Sequence, residues 1–505
     1  VVLVVVLVVV AVLALAAYAF HDVMMAENEV TQMVGRQVQA YSLAASGVAD
    51  LRVFLMQDAA TQSEAGGRYD NAARFQAVTV VQEEGETDTG RFTVVAPALD
   101  TEGNASGVRY GLEDESARLN LNALTWIETQ GQALGQETAG RDLLMALPGM
   151  TEETADAILD WLDEDEEPRE YGAESDYYSS LSPGYAAKNG QLETVEELLL
   201  VRGVTPQLLF GADVNRNGII DAGEMEQSGA ALTDTESITT GWAGQLTLYS
   251  KENNVTAEGL PRVNLNDQDD MNTLYETLAA VLPEDQARFI VAYRQQTELY
   301  TGTEPGEPDP GDDLDLAQPG KTELNQVLDL IDAKVKVTFK GAKEPVVLAS
   351  PFTVGAMNTY MSQLMDQVTA RPVLPGRINI NHASRDILEG IPGMPEGIVE
   401  QIIGQRNPDP GADGSDMNHE TWLLTQGLVT LDQMRTLTPF VCAGGSVYRA
   451  QVIGYYDDGR AASRLEVVLD ATQQPASVLL WRDISHLGRG YSLEILGAAG
   501  TAEGM

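Results

Sequence analysis

The sequence predicts an α+β protein. A long N-terminal helix, apolar enough at its start to cross a membrane, lies on an antiparallel sheet. A large α-helical insertion with helix-hairpin-helix-like repeats interrupts that sheet. Three observations predict this. The chain opens "VVLVVVLVVVAVLALAAYAF", twenty residues without a charge, Gly or Pro. Strand-like runs lie toward both ends, within 66–118 and 439–505. Between them one opening recurs, as "RLNLN" at 118–122, "RVNLN" at 262–266 and "RININ" at 377–381.

Residues 1–20 are long enough as a helix to span a hydrocarbon core of roughly 30 Å. A cleaved signal peptide is the alternative, since "ALAAYA" offers small residues, but the apolar run exceeds a usual signal core. Numbering from Val leaves room for a basic leader upstream. Beyond His21, apolar residues recur at three and four spacing: Val23, Met24, Val30, Met33, Val34, Val38, Tyr41, Leu43, Val48, Leu51, Leu55. The expectation is one helix of about 60 residues, with 21–65 laying an apolar stripe on a globular head. That resembles the pilin arrangement. Val30, Val34, Val38 and Tyr41 are then the candidate partner-binding residues.

The head comprises 66–118 and 439–505, where short β-branched runs alternate with Gly, Asp and Asn turns. "SVYRAQVIGYY", "DDG" and "RAASRLEVVLD" read as a hairpin with an Asp-Gly turn. The insertion divides into a first repeat at 119–225, a middle insertion at 226–375 and a last repeat at 376–438. The first and last repeats share a PGM turn between two helices ("LPGM", "IPGM"). The middle copy keeps its opening and both helices without the PGM. It is followed by "TGTEPGEPDPGDDLDLAQPG" at 301–320, a Pro-, Gly- and acid-rich linker, and by "AKVKVTFKG", whose alternation predicts a strand.

The hairpins raise nucleic acid as a partner, and charge argues against it. The formal net charge is −45, from 76 acidic and 31 basic residues. Non-specific affinity for DNA rests on Lys and Arg displacing counterions, and no basic patch interrupts this acidity. A phosphate-binding G-h-G turn also needs two glycines to bring backbone N–H groups forward. Here the second is Thr151 in one copy and Pro395 in the other, and Glu152 and Glu153 follow where an anion would sit. No nucleic acid is expected. Cys442, the single cysteine, cannot form a disulfide within the chain, and His21, His382, His419 and His486 have no zinc-ligand spacing. No nucleophile elbow, Walker loop or dinucleotide fingerprint is present, so no enzyme activity is expected.

Two stretches read as calcium sites. "DVNRNGIIDAGE" at 213–224 matches D-x-[DN]-x-[DN]-G-x5-E in full. Asp213, Asn215 and Asn217 supply side-chain oxygens, Gly218 the sharp turn and Ile219 its carbonyl. Asp221 binds directly or through water, and Glu224 closes the site with both oxygens. The flanks are not clearly two helices, so the loop is expected to staple, not to switch. The second stretch, 160–190, crowds hard oxygens into an irregular loop, with Asp163, Asp165, Glu174 and Asp176 as candidate ligands.

The apolar N-terminal helix, "EDESARLNLNAL", "LPGM…ADAILDWLDEDEEPR…GAESDYY…AKNG…TVEELLLVRGVTPQLL", the later "ININ" and the closing "RLEVVL…VLLWRD" together resemble general secretion pathway protein K, the large minor pseudopilin of type II secretion systems. The resemblance covers roughly 1–225 and 375–485. It implies an inner-membrane protein with its head in the periplasm, placed at the pseudopilus tip with two smaller minor pseudopilins above the major pseudopilin. It also implies Ca2+ in the acidic stretch 163–176. Most pilins carry a Glu near the fifth mature position; the K-type lacks it, and so does this helix. The block 226–375 exceeds the family pattern. The alternative is a minor pilin of a type IV pilus or DNA-uptake system, with hairpins that touch DNA.

Overall fold

The computed structural model describes residues 1–82, 89–227, 240–267, 270–296, 299–307, 313–371, 376–408 and 416–498. Residues 308–312, the centre of the acidic linker, lie outside them. Val2–Phe54 form one unbroken helix, α1. Its opening residues are all exposed, and its most apolar 18-residue window has a mean hydropathy of 3.1 with nothing buried. A lipid core imposes a helix on such a run despite its β-branched valines, because only internal hydrogen bonds satisfy the backbone there.

Contact with the head begins where Arg36 stacks 4.4 Å from the Tyr456 ring centre and Gln37 Nε2 donates to the Ala462 carbonyl at 2.8 Å. From there Ala40, Leu43, Ala44, Gly47, Val48, Leu51 and Phe54 form the buried stripe. Two glycines set the approach of helix to sheet. A Cβ on Gly47 would stand 2.6 Å from Val452 Cγ1, and one on Gly454 would stand 2.2 Å from the Ala40 carbonyl. The stripe on the head is therefore shorter than the expected 21–65. His21 to Phe54 measures about 51 Å as a helix, whereas a ten-residue strand spans only about 33 Å, so the N-terminal part overshoots. The helix ends at Phe54, and the Asp58 side chain caps a separate turn, Ala59–Glu64.

The sheet has seven strands, all antiparallel: β1 (Val78–Val81), β2 (Gly90–Leu99), β3 (Ala105–Arg109), β4 (Glu113–Asp114), β5 (Val447–Tyr456), β6 (Ala462–Asp470) and β7 (Ser477–Asp483). Their order is β1-β2-β5-β6-β7, with β3 on the far half of β2 and β4 on β5. The sheet thus joins strands from before and after the insertion, and β5–β6 is the expected hairpin, with Tyr455 opposite Ala462. Period-2 alternation gives it two apolar faces. Phe92, Val94, Tyr448, Ala450, Val452, Leu465 and Val467 meet α1. Val95, Ile453 and Tyr455 meet Tyr491 and Leu496 of the C-terminal segment, with Ile219 of the insertion against them.

The insertion is three copies of one module. Each RxNxN opening pairs, in parallel, with a two-residue strand at the module's end: Leu119–Asn120 with Leu246–Thr247, Val263–Asn264 with Val368–Thr369, and Ile378–Asn379 with Val441–Cys442. The first Asn side chain of each opening accepts from the amide two residues on, at 3.1, 3.0 and 2.9 Å. The second Asn donates its Nδ2 across the module, to the carbonyls of Leu192, Leu324 and Met417. Each module carries a helix pair: α2 (Ala139–Met145) and α3 (Glu152–Leu162), α4 (Met271–Ala279) and α5 (Glu284–Gln295), α6 (Arg385–Glu389) and α7 (Ile398–Gln405). The first module closes with 246–247, beyond residue 225. The middle module runs from 262 to 369 and contains the expected strand, Lys334–Val337, paired with Val346–Ala349. The modules share one apolar core from Leu119 to Val441.

Candidate metal centre and assembly surface

Helix α3 presents acids to the interior. Asp156 has no exposed side-chain surface and takes both Arg141 bonds at 2.7 Å. Asp160 is equally enclosed and accepts from Arg169 Nη1 at 2.7 Å. Arg169 also pairs with Glu128 Oε2 at 2.9 Å and with Asp163 Oδ2. It therefore folds the loop after α3 back over the helix end. Gly172 permits this return, since a Cβ there would fall 1.8 Å from Asp160 Oδ2.

The folded loop brings Asp163, Asp165 and Glu174 together, with one oxygen of each within 4.8 Å of the others; this is the one such acidic group among the described residues. Asp163 Oδ1 and both Glu174 oxygens are enclosed and accept no hydrogen bond. Burial, followed by Asp160, Asp163, Glu166 and Asp165, pushes the Glu174 carboxyl up to about 7. Burial also raises Asp163, against the opposing pull of Arg169. An enclosed oxygen without a donor is costly, and three hard oxygens aimed at one point suit a cation such as Ca2+. Asp176 is exposed in the first turn of Ser175–Ser179, outside the group. Sequence reading missed Asn189. Its Nδ2 holds the Asp165 carbonyl at 2.6 Å, its Oδ1 is enclosed without a donor, and its φ of 47° marks it as a special position.

The 213–224 loop is a separate feature, inserted between the helix Pro206–Phe210 and the closing strand of the first module. Asp213 accepts from the amides of Asn217 (3.0 Å) and Gly218 (2.8 Å), and Asn217 Oδ1 from Ile219 N (2.8 Å). Glu224 accepts from the amides of Asn215 (3.0 Å) and Asp221 (3.1 Å). Asp221 accepts from the amides of Gly223 and Glu224, which starts the helix Ala222–Gln227.

On α1, Val30, Val34 and Val38 are 58%, 58% and 61% exposed. Tyr41, 38% exposed, accepts from Trp481 Nε1 at 3.1 Å. These side chains flank the stripe that meets the sheet, and they link the apolar N-terminal run to edge strand β7, where Val478, Leu479 and Trp481 are exposed.

The fold and these features define a helix-on-sheet protein whose N-terminal helix is long and apolar enough to cross a membrane, with an acidic, module-built insertion. Residues 117–210 match the family model of the type II secretion system (T2SS) protein K. Over 100 residues the chain is 35% identical to the type II secretion system protein K of Pseudomonas aeruginosa, which covers 19% of this chain and 29% of that protein. The Klebsiella pneumoniae protein of the same name is 31% identical over 105 residues, 21% of this chain and 29% of that one. The putative type II secretion system protein K of Escherichia coli is 32% identical over 108 residues, 20% of this chain and 32% of that one. The chain thus spans about a third of the length of the curated relatives it matches. The resemblance drawn from the quoted residues is borne out on the first module, which carries Asp163, Asp165 and Glu174. Among solved structures, the GspK-GspI-GspJ complex of the enterotoxigenic Escherichia coli type 2 secretion system aligns over 91% of this chain and 98% of the matched chain, at 13% identity and a TM-score of 0.37.

Proposed function

We propose that this chain is a structural minor pseudopilin at the tip of a type II secretion pseudopilus. It supports protein export across the outer membrane by assembling with two smaller minor pseudopilins and the major pseudopilin. Residues 1–20 anchor it in the bacterial inner membrane as a single pass, with the head in the periplasm, and it catalyses no reaction. One observation carries this reading. Helix α1 carries an apolar face, Val30-Val34-Val38-Tyr41, that leaves its three valines mostly exposed and runs into the zone where the helix meets the head, with Tyr41 on Trp481 of β7. A face of that kind, continuous with a lipid-facing helix, suits packing against the equivalent helices of other subunits. The match of the first module to protein K supports it. Ca2+ at Asp163, Asp165 and Glu174 belongs to the same reading, supported by their unpartnered oxygens.

The test is co-purification with the minor pseudopilins of the same organism, with calcium present. A stoichiometric complex is expected, and Val34→Asp is expected to abolish it while the circular dichroism of the head is unchanged. Normal assembly of Val34→Asp overturns the α1 face. A folded, calcium-loaded chain that forms no complex moves the reading to a type IV pilus or DNA-uptake minor pilin.

A further inference from the structure

The 213–224 loop lies outside the 117–210 segment that matches protein K, and it does something the acidic group does not: it reaches the sheet. Its carbonyls at 215, 216 and 217 point outward in succession. Asn215 O accepts from Arg464 Nη1 at 2.7 Å, Arg216 O from Gln451 Nε2 at 2.8 Å and Asn217 O from the Tyr491 hydroxyl at 2.9 Å. Those donors come from β6, β5 and the C-terminal segment. Asn217 Nδ2 adds a bond to the Gly490 carbonyl at 2.6 Å. Arg216 and Arg482 of β7 meet on one carboxylate, Glu196, at 3.0 and 2.6 Å. The loop is thus a joint between the insertion and three strands of the head.

Inside the loop, the ligand positions of a calcium loop are filled in order. Asp213, Asn217 and Glu224 are all buried, at 6%, 4% and 5% exposure. Asn215 supplies an independent sign of a missing partner. Its Nδ2 donates to Asp221 Oδ2 at 3.2 Å, and its Oδ1, enclosed from solvent, receives no hydrogen bond. Turning the amide by a half-turn removes nothing. It sets Oδ1 against Asp221 Oδ2, two acceptors that repel each other unless a cation or a proton lies between them.

We infer that loop 213–224 binds one Ca2+ through Asp213, Asn215, Asn217, the Ile219 carbonyl, Asp221 and Glu224, and that this ion locks the helical insertion onto the sheet. Seven-coordinate oxygen ligation of this kind draws the side chains inward. That leaves the 215–217 carbonyls turned outward toward Arg464, Gln451 and Tyr491. The ion therefore sets the shape on which the joint depends. An anchor of this kind matters for an insertion held to the head otherwise by its two chain crossings and contacts such as Asp114 with Asn379 Nδ2 at 2.9 Å.

The experiment is calcium titration calorimetry on the full chain in detergent, with hydrogen exchange read at 213–224 and 489–492. The Glu174→Gln chain, which disables the acidic group, is expected to keep one equivalent of Ca2+. Adding Glu224→Gln is expected to weaken that equivalent at least tenfold. Asn215→Asp, which adds a ligand charge, is expected to tighten it, an effect that misfolding cannot produce. Calcium is expected to slow exchange at 215–218 and 490 in the Glu174→Gln chain. A folded Glu174→Gln chain that binds no Ca2+ overturns the site. Binding without protection at 215–218 and 490 overturns the lock. Co-assembly through α1 does not enter either readout, so both outcomes leave the pseudopilin reading untouched.

Discussion

Asp160 shows how much of the acidic group rests on a single cation. Its side chain has no exposed surface, and Arg169 is the positive charge bonded to it. Removing one partner of a buried pair leaves an uncompensated charge, at a cost of about 3–5 kcal/mol. Arg169→Ala is therefore expected to destabilise the helical insertion by that amount in urea unfolding, and added calcium is expected to recover part of the loss. His382 gives a second expectation. It packs 4.9 Å from the Tyr69 ring and meets the Pro408 carbonyl. Burial pushes it down to about 4 from 6.5; Arg109 and Arg68 push the same way, and Asp114 opposes. Between those values the unfolded chain binds more protons than the folded one, so stability falls as pH falls from 6.5 toward 4. The difference in urea midpoint between pH 7 and pH 5 is expected to shrink in His382→Gln. At this scale the sequence shows which residues are acidic but not which are enclosed. Asp163, Asp165 and Glu174 were legible as hard oxygens in an irregular loop. Asp176, two positions past Glu174, is turned to solvent by one short helix. Asp160 acts through burial and Asn189 through one enclosed oxygen, which local sequence does not display.

The Pro-Gly-Met turns show what an element demands of its residues. Gly149 and Gly393 have φ of 72° and 76°, a region that costs other L-residues about 1–2 kcal/mol. Their surroundings differ. A Cβ on Gly149 meets only Leu208 Cδ2, at 3.1 Å, whereas one on Gly393 meets Gln136 Nε2 at 2.7 Å and Thr436 Cγ2 at 2.8 Å. Gly393→Ala is thus expected to lower the thermal midpoint more than Gly149→Ala, and equal shifts would show that only the backbone term matters. After the turn, Thr151 Oγ1 accepts from Thr154 N at 3.3 Å, which starts α3 with Glu152 and Glu153 in its first turn. The N-terminal end of that helix is thus occupied by its own hydroxyl and acids. The RxNxN openings were legible because each Asn plays the same part in every copy. The first closes its own turn, and the second ties the opening across the module. Their partner strands were not legible. Two residues such as Leu246–Thr247 carry no periodicity, and only the parallel pairing identifies them.

At the scale of the molecule, the three modules behave as one body because their apolar residues form one cluster. Leu274 in the middle module and Leu388 in the last are both fully buried in it, though more than a hundred residues separate them. Val467, also fully buried, belongs to the separate cluster between α1 and the sheet. Truncating a buried leucine costs about 2–5 kcal/mol in transfer and cavity terms. Leu274→Ala and Leu388→Ala are therefore expected to lower the same calorimetric transition of the full chain in detergent, and Val467→Ala to lower another. If the modules were stacked as independent repeats, each leucine variant would move its own transition and leave the other's in place. The shared core also gives the RxNxN repetition its physical sense. A module of short helices around a two-residue ladder encloses little of its own apolar face, but three that close on one another share one core. The insertion then stands as a rigid mass on the sheet, while Val30, Val34 and Val38 of α1 stay exposed.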